Sequence, residues 1–331
     1  MIHFIFDWPC KRGSVCSDMF INEFYTKRHI KCDVDGSRRG KYRKIYWVLL
    51  AIRTILKSKR NDIIVCWIDF HGVLCLLFSR ILFMKRRILA INILLKKKDT
   101  FSNKINRLLY RYAFSDKNFY FTYTSKYMDY ANMKRSYLLQ DTYVDRNNLF
   151  MEYSDCGKNV FVGGNNGRDW NLAYKVAAAM PDVNFYFIMP NIEKNKNYPH
   201  LQNVEEHYSI PYNEYLKYVS SCSVVFLPLK TEAPAGLIVL YEAAMKCKAL
   251  IMTDTQVSRD YLSNTETGIL IKSGDVDDAV KSIRRILNDK EFQKNISIKL
   301  QQKIMNLGKF ENYCEVLHSI ILDINKSKNL Y

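Results

Sequence analysis

The sequence predicts an α/β protein made of two doubly wound parallel-sheet domains. Apolar runs of strand length alternate with segments of helical periodicity along the chain, which is the order of repeated βαβ units. Several of these runs are continuously apolar, which is typical of strands buried on both faces of a parallel sheet. At 331 residues the chain is long for one domain. We therefore expect one domain at residues 1–150 and another at residues 151–331, facing each other across a ligand cleft.

The first half contains apolar segments that predict strands, at residues 2–8, 63–68, 88–93 and 119–122. Segments of helical character lie between and after these strands, at residues 18–27, 45–57, 73–83, 101–114 and 125–130. Residues 31–44 are basic and contain glycine, and we predict a surface loop there. Residues 137–145 predict a segment that crosses into the second domain.

The second half repeats the same alternation of strand and helix. Its predicted strands lie at residues 159–162, 184–189, 204–207, 224–227, 249–252 and 268–271. Its predicted helices lie at residues 172–180, 234–244, 276–287, 291–305 and 313–324, with one more that ends near residue 218. The last of these helices can cross back to the first domain.

The net positive charge is confined to the first half. Residues 1–150 carry 29 Lys and Arg against 12 Asp and Glu, whereas residues 151–331 carry 21 of each kind. Such a basic half favours an anionic partner: nucleic acid, anionic lipid or a phosphorylated acceptor. Lys104, Arg107 and Arg111 lie among aliphatic and aromatic residues of a predicted helix. Because no nucleic-acid motif accompanies them, the pattern favours an anionic membrane surface.

The cysteines and the apolar segments exclude other classes of protein. The nine cysteines are irregularly spaced and include no CxxC pair, so we expect no disulfide framework and a reducing cytosol. The first residues lack a basic region followed by a long apolar stretch, and they predict a strand rather than a signal peptide. Asp69, His71 and Arg80 interrupt the apolar residues 63–84, which argues against a membrane span.

Residues 234–244, Pro-Ala-Gly-Leu-Ile-Val-Leu-Tyr-Glu-Ala-Ala, predict a ligand site at a helix entry. Pro234 suits the first helical turn, and Gly236 lets the backbone approach a ligand. The free N–H groups of that turn form an anion site, typically for phosphate. Glu242 lies in an otherwise apolar helix and needs a partner, which ligand hydroxyls would provide. Phosphate and diol together describe a nucleoside diphosphate; the alternative is a core helix whose Glu242 is solvated.

Further candidates follow other predicted strands. Gly13 and Ser14 belong to a turn between the first strand and helix, a possible phosphate loop. Asp69 and His71 follow the strand at residues 63–68, at the edge where parallel sheets bind ligands. His71 can equally be a structural histidine.

Arg168 follows a glycine-rich turn, residues 163–167, at the end of the first strand of the second half. A guanidinium group in this position can reach an anion held at the helix that begins near Gly236.

Three segments of the second half resemble a known family. Residues 163–170, Gly-Gly-Asn-Asn-Gly-Arg-Asp-Trp, resemble the turn and basic residue that open the donor domain of GT-B glycosyltransferases. Residues 234–244 resemble their nucleotide-sugar motif, and residues 275–287 are similar to the helix after their "GD" turn. The pattern is most similar to the retaining family 4 (group 1) enzymes of polysaccharide and glycolipid assembly. The resemblance covers most of residues 157–310, is weaker over residues 1–150, and implies two Rossmann-like domains.

The resemblance implies a role for each matching residue. Glu242 would bind the ribose hydroxyls, and Arg168 would bind the donor diphosphate. Ser209 and Ile210 would contact the base. The remaining residues that the resemblance places around the donor are Gly13, Ser14, Gly164, Asn165, Ala235, Gly236, Leu237 and Ile238.

The sequence departs from the family pattern at identifiable positions. Pro234 stands where the family has the first Glu of its E-x7-E motif, and Glu232 lies two residues earlier. Asn92 lies near the position where many members carry a His, for which His71 is a candidate substitute. Residues 33–35, Asp-Val-Asp, have the form of a metal-binding DxD motif, but they lie in the predicted basic loop, so we expect no metal there.

We therefore expect a glycosyltransferase that moves a sugar, with retention, from a UDP- or GDP-sugar to a saccharide or lipid-linked acceptor in cell-surface polysaccharide biosynthesis. Arg168 and the helix N-terminus would stabilise the departing diphosphate, so we expect no metal and no cofactor. Asp69 and His71 are the other candidate catalytic residues. We expect a cytoplasmic protein at the inner face of the membrane, with no nucleic-acid partner.

Two other interpretations remain open from the sequence. The first is a non-catalytic nucleotide-sugar-binding subunit that supports a partner transferase, an interpretation based on Pro234 in place of the first Glu. The second is an RNA-binding protein, which rests on the basic half alone and lacks base-stacking motifs.

Overall fold

The computed structural model describes residues 1–10, 15–38, 40–94, 100–128, 131, 133–143, 150–232 and 234–326, with the backbone alone at residues 15–17. The chain forms two compact units. The first comprises Met1–Gln140 together with the C-terminal segment from Glu311, and the second comprises Asp141–Phe310. The units divide after Gln140, which is earlier in the chain than the predicted boundary near residue 150.

The first unit is built on a parallel sheet. Its strands are β1 (Ile2–Phe6), β2 (Cys32–Gly36), β3 (Ile63–Cys66), β4 (Arg87–Ala90), β5 (Phe119–Tyr123) and β6 (Ser136–Leu138). Its first helices are α1 (Val15–Phe20, continued by a π-helical segment at Ile21–Thr26), α2 (Arg43–Lys57), α3 (Asp69–Ile81) and α4 (Phe101–Ser115). The strand order is β2-β1-β3-β4-β5-β6. All four residues of β3 are buried, as expected for a strand covered on both faces.

The second unit contains another six-stranded parallel sheet. Its strands are β7 (Asn159–Gly163), β8 (Asn184–Met189), β9 (Val204–Tyr208), β10 (Val224–Leu227), β11 (Ala249–Thr253) and β12 (Ile269–Ile271). Its helices are α5 (Trp170–Ala178), α6 (Tyr212–Ser220), α7 (Leu237–Met245), α8 (Ser258–Tyr261), α9 (Val276–Asn288) and α10 (Lys290–Leu307). The last helix, α11 (Phe310–Lys326), belongs from Glu311 onward to the first unit.

The strand order of the second unit determines where a ligand can bind. The order is β12-β11-β10-β7-β8-β9, so the chain builds outward from β7 in one direction and then from β10 in the other. The loops that follow β7 and β10 therefore leave the sheet side by side and diverge. In open parallel sheets this switch point is the position of the ligand crevice.

The predicted fold class, with two doubly wound parallel sheets, is confirmed. The predicted surface loop at residues 31–44 is wrong, because part of it forms strand β2. The carboxylates of this edge strand have partners on α2: Lys57 Nζ donates to Asp33 Oδ2 at 2.7 Å, and Arg53 pairs with Asp35. Residues 33–35 are therefore a paired strand segment, where charged side chains are tolerated at a sheet edge.

Other boundaries also differ from the predictions. Helix α3 begins at Asp69, so the candidate residues after β3 lie in its first turn rather than before it. Residues 125–128 form turns instead of a helix, with the Met128 N–H donating to the Ser125 carbonyl. The predicted crossing segment includes part of strand β6. None of the helices in the described ranges is long and apolar enough to cross a membrane.

Candidate functional site

A cavity of about 680 Å³ lies in the second unit at the carboxyl ends of β7 and β10. Four segments form its wall: the turn after β7, the turn after β9, the first half of α6, and the entry to α7 with its first turns. The lining residues include Gly164, Asn165, Asn166, Arg168, Ser209, Ile210, Tyr212, Tyr215, Pro234, Ala235, Gly236, Leu237, Ile238, Val239 and Glu242. The structure thus brings together the candidate donor-binding residues of the second half.

Arg168 is a buried cation in the wall of this cavity, with 3% of its surface exposed. Its Nε donates to the Gly163 carbonyl at 2.5 Å, and its Nη1 donates to the Asn166 carbonyl at 3.4 Å. These bonds hold the guanidinium group in the turn after β7. Burial lowers the pKa of Arg168 to about 10, against the attraction of nearby Tyr215 and Glu242. The group therefore stays positively charged at neutral pH.

Two glycines allow the guanidinium group to take this position. A Cβ on Gly164 would lie 2.6 Å from Arg168 Nη2, and a Cβ on Gly236 would lie 3.3 Å from Nη1. Both glycines have positive φ angles, +109° and +85°, a conformation that other residues rarely adopt. Arg168 consequently lies directly beside the entry to α7.

The entry to α7 differs from the prediction that Pro234 opens the helix. The N-cap residue is Gly236 and the first helical residue is Leu237, so Pro234 precedes the helix. No side chain caps this end, and the N–H groups of a first turn have no partner within the helix. Together with Arg168, this turn provides the positive potential that favours an anion.

Glu242 is buried in the middle of α7, with 2% of its surface exposed. The alternative in which this side chain is solvated is therefore wrong. Within the described part of the chain, Glu242 Oε2 and the Tyr215 hydroxyl have no hydrogen-bond partner. A buried polar atom without a partner is costly, and both atoms belong to residues that line the cavity. This arrangement suits a ligand that supplies hydroxyl groups.

Burial raises the pKa of Glu242 from 4.5 to about 7. The neighbouring hydroxyls of Tyr215 and Tyr212 and the positive charge of Arg168 lower the pKa of Glu242, but by less than burial raises it. The carboxyl is therefore about half protonated near pH 7. Binding of a ligand that favours the ionised carboxylate would release the proton from the protonated fraction.

Two aromatic residues of this site were missed from the sequence. Tyr212 and Tyr215 lie three positions apart on α6 and line the cavity beside Glu242. Residues at this spacing share one face of a helix, which was the available signal. Ser209 has a φ of +50°, and its Oγ accepts a hydrogen bond from the Asn191 N–H at 3.1 Å. It thus shapes the turn that leads into α6.

The candidate residues of the first half lie in the first unit or outside the described residues. Gly13 and Ser14 are outside them. His71 is completely buried on α3, and its ring lies 5.1 Å from that of Trp47 in an edge-on contact. Burial and the charge of Arg43 lower the pKa of His71 to about 4, so this side chain is neutral at pH 7.

The Asp69 carboxylate is held by backbone groups. Its Oδ1 accepts from the Phe70 N–H at 2.8 Å, and its Oδ2 accepts from the Leu94 N–H at 2.9 Å. Because Asp69 and His71 are in a different unit from Arg168, their part in catalysis stays a prediction. Among the described residues, no group of three His, Cys, Asp or Glu side chains is arranged to hold a metal ion.

Comparison with protein families gives one match over the second unit. Residues 190–303 match the family described as glycosyl transferases group 1. The matched segment contains Ser209, Gly236 and Glu242 and ends before α11. The matched segment therefore includes much of the cavity wall. Among curated protein sequences, none matches the chain.

Solved structures resemble the chain over its full length. HepE from Anabaena, in complex with UDP and glucose, has a TM-score of 0.70 at 11% identity, covering 98% of this chain and 100% of that one. Sucrose-phosphate synthase from Thermosynechococcus elongatus has a TM-score of 0.72 at 12% identity, covering 98% and 99%. A glycosyltransferase from Rickettsia africae has a TM-score of 0.65 at 10% identity, covering 98% of each chain. At these identities the similarity establishes the fold, which is that of GT-B glycosyltransferases.

Proposed function

We propose that this protein is a retaining glycosyltransferase that uses a UDP- or GDP-sugar donor and transfers the sugar to a saccharide or lipid-linked acceptor. The second-unit cavity is the donor site in this proposal. The observation that carries it is the presence, in one cavity, of a buried guanidinium group, an uncapped helix entry and a buried carboxylate. These three groups match the diphosphate and the ribose of one nucleotide.

The proposed roles follow from the charges. The diphosphate would lie against Arg168 and the first turn of α7, where N–H groups and the helix dipole attract anions. The ribose hydroxyls would donate to Glu242, whose Oε2 has no partner among the described residues. One structural neighbour supports the assignment, since HepE is crystallised with UDP and also with UDP-glucose.

Catalysis would then depend on stabilising the leaving group. As the glycosidic bond to the diphosphate breaks, negative charge accumulates on the phosphate oxygens. Arg168 is held in place by its bonds to the Gly163 and Asn166 carbonyls, so its stabilisation of this charge would need little reorganisation. This mechanism uses no metal ion or cofactor. As the acceptor oxygen bonds to the anomeric carbon, the departing diphosphate, which gains a negative charge, would take up the proton of the acceptor hydroxyl.

We also propose that the first unit places the enzyme on an anionic membrane surface at the cytoplasmic face. Helix α4 exposes apolar residues at helical spacing: Phe101, Ile105, Leu108 and Tyr112. Phe101 is 80% exposed and Leu108 is 66% exposed, and residues at these intervals share one face. An apolar face within a basic half is typical of helices that lie in a membrane interface. This location is consistent with cell-surface polysaccharide biosynthesis.

The test is a donor screen with the purified full-length chain. Thermal stability is measured with UDP, GDP, their sugars and ADP, because a ligand of the folded state raises the apparent stability. The donor that binds is then supplied with EDTA, and release of nucleoside diphosphate and the anomeric configuration of the product are followed. We expect turnover in EDTA with retention. An inverted product, or activity abolished by EDTA and restored by a divalent cation, would contradict the corresponding part of the proposal.

Pro234 keeps a second function under consideration. It stands where the resemblance has a carboxylate, so a non-catalytic donor-binding subunit is the alternative. Donor hydrolysis without an acceptor distinguishes the two functions, since a binding subunit would be stabilised by the nucleotide sugar but would release no nucleoside diphosphate.

A further inference from the structure

Lys248 is a buried cation at the amino end of β11, whereas the donor cavity lies at the carboxyl ends of β7 and β10. It has 1% of its surface exposed. Its Nζ donates to the Ser154 carbonyl at 3.3 Å and to Ser154 Oγ at 3.1 Å. Among the described residues, no carboxylate lies within ion-pair distance of this ammonium group, and the Asp155 carboxylate pairs with Lys290. Because a buried cation without an anion is costly, the remaining group that contacts Nζ matters chemically.

That group is the side chain of Cys156. Lys248 Nζ donates to Cys156 Sγ at 3.3 Å, and Sγ also lies 3.4 Å from the Ser220 carbonyl. Cys156 is partly exposed, whereas five of the described cysteines are buried. A cation beside a cysteine favours the thiolate, which is the form that reacts with oxidants. A small oxidant such as hydrogen peroxide can therefore reach a sulfur that has a cation in contact with it.

Cys32 provides a comparison within the same chain. It is also partly exposed, but burial and the adjacent charge of Asp33 raise its pKa. A carboxylate near a thiol disfavours the thiolate and so slows oxidation. Cys156 and Cys32 thus have opposite electrostatic surroundings, and we expect peroxide to oxidise Cys156 before Cys32.

We propose that Cys156 and Lys248 form a covalent cross-link when the protein meets hydrogen peroxide. The Cys156 thiolate attacks one peroxide oxygen, the O–O bond breaks, and a sulfenic acid and hydroxide form. Hydroxide takes one proton from the Lys248 ammonium group and becomes water. The resulting amine attacks the sulfur, an S–N bond forms, and the S–O bond breaks as the oxygen leaves with a second proton as water. The sulfur loses two electrons and peroxide gains them, so the balance needs no other reactant.

The cross-link closes a loop of the chain that contains the proposed donor residues of the second unit. Cys156 and Lys248 are 92 positions apart, and Arg168, Gly236 and Glu242 lie between them. A covalent link across a long loop restricts the unfolded chain, so oxidation should stabilise the second unit. A thiol reductant reverses the link, since one thiol displaces the amine from sulfur and a second releases Cys156. The inference does not depend on the proposed glycosyl transfer.

The test is mass spectrometry of the full-length protein after treatment with hydrogen peroxide. Digestion with trypsin should give one species that joins the peptides of Cys156 and Lys248, lighter by two hydrogen atoms than the two peptides together. Dithiothreitol should separate them. The melting temperature should rise with the cross-linked fraction and fall again on reduction. Oxidation of Cys156 that stops at the sulfenic acid, with no link to Lys248, would overturn the proposal.

Variants assign the chemistry to the two side chains. Lys248→Arg keeps a cation but cannot give up its proton, so Cys156 should stop at the sulfenic acid, which dimedone labels. Lys248→Met keeps an apolar stem in the same place, and it should lack the cross-link and slow the oxidation of Cys156 about ten-fold. Cys32→Ser is the matched control and should cross-link as the natural protein does.

Two results with these variants would contradict the inference. One is a cross-link that persists in Lys248→Met, and the other is a cross-link that is lost in Cys32→Ser. Thermal melts before oxidation show whether each variant is folded. If neither Lys248 variant folds, the peptide joined to Lys248 in the natural protein decides the question by itself.

Discussion

Burial shifts the pKa values of Glu242 and Arg168, two ionisable residues that line the second-unit cavity. Burial raises the pKa of the Glu242 carboxyl to about 7 and lowers that of Arg168 to about 10. Arg168 therefore keeps its charge under all ordinary conditions, whereas Glu242 changes its charge near neutral pH. Their contributions to nucleotide binding can be separated by pH and by substitution.

The affinity for UDP should depend on pH through Glu242. Ribose hydroxyls donate hydrogen bonds, so they favour the ionised carboxylate, and affinity should rise about ten-fold between pH 6 and pH 8. Glu242→Gln should bind UDP about ten-fold more weakly at pH 8 and should show a nearly flat pH profile. Calorimetry at several pH values measures both effects.

The control for Glu242→Gln is Glu193→Gln, since Glu193 is also buried in the second unit but is paired with Lys196 and Tyr198. It should bind UDP with the natural pH profile. A 2′-deoxy analogue should lose affinity for the natural protein and little more for Glu242→Gln, because both changes remove one contact. Additive losses would contradict the ribose assignment.

The same pKa shift predicts how stability depends on pH without ligand. Because the folded state holds this proton more tightly than the unfolded state, the contribution of Glu242 is present below pH 4.5 and is lost as pH rises through about 7. The maximum slope is about 1.4 kcal/mol per pH unit. Denaturant titrations at several pH values should show that the free energy of unfolding falls with rising pH in the natural protein relative to Glu242→Gln. The same pH dependence in both proteins would indicate that burial does not raise the pKa of this carboxyl.

Arg168→Ala should weaken UDP binding about a hundred-fold and uridine binding by less than about three-fold, since the guanidinium group would contact the diphosphate. Arg168→Lys should restore part of the affinity because it keeps the charge. Arg284→Ala is the control, as Arg284 pairs with Asp182 at the surface. Equal losses for UDP and uridine would assign Arg168 a structural role through its bonds to Gly163 and Asn166.

At the scale of elements, helix α7 depends on its glycine entry. Gly236 has a φ of +85° and approaches Arg168 Nη1 and Met252. Alanine at this position would be strained by about 1–2 kcal/mol and would crowd the guanidinium group. Gly236→Ala should therefore lower both stability and UDP affinity, the latter about ten-fold.

Gly274 provides a matched control for this prediction. Its φ is +73°, yet a Cβ there would meet no atom within 4 Å. Gly274→Ala should show the conformational strain in a thermal melt while leaving UDP affinity unchanged. If the two variants lose UDP affinity equally, the loss would have to be attributed to general destabilisation rather than to the α7 entry.

The apolar face of helix α4 was identified from the periodicity of the sequence alone. The sequence placed cations beside apolar residues in this segment, and the structure shows that Phe101 and Leu108 point to solvent. The apolar face was predictable because positions three and four apart share a helix face. Whether another element covers this apolar face is decided by the tertiary structure.

At the scale of the whole molecule, the charge of +17 is carried entirely by residues 1–150. The protein should therefore bind anionic lipid vesicles more tightly than neutral ones, and salt should weaken the binding by screening. Leu108→Glu should reduce vesicle binding several-fold, since it places a negative charge in the apolar face of α4. Cosedimentation measures these effects.

Two results would contradict the membrane proposal. One is equal binding to neutral and anionic vesicles. The other is vesicle binding that Leu108→Glu leaves unchanged. The control variant is Leu322→Glu, which places the same charge at an exposed leucine on α11.

The sequence by itself determined the fold class, most strands and helices, and several residues that line the second-unit cavity. Continuous apolar runs, glycine turns and helical periodicity are local signals, and residues 184–189 were predicted as a strand with the boundaries that the structure has. Glu242, Gly236 and Arg168 were identified because a carboxylate, a glycine and a cation stood in patterns that local chemistry explains.

The tertiary structure decided what these residues meet. Whether Glu242 is buried, and that Tyr215 on another helix lies beside it, depends on packing between segments far apart in sequence. Residues 31–44 predicted a loop because they are basic and contain glycine, whereas part of this segment forms strand β2, whose carboxylates pair with Arg53 and Lys57 on α2. A cavity of the first unit, between α2, α3 and α4, had one local signal, Asp69 after the strand at residues 63–68. Its other walls come from helices that the sequence separates by whole strands, so the cavity itself could be found only in the tertiary structure.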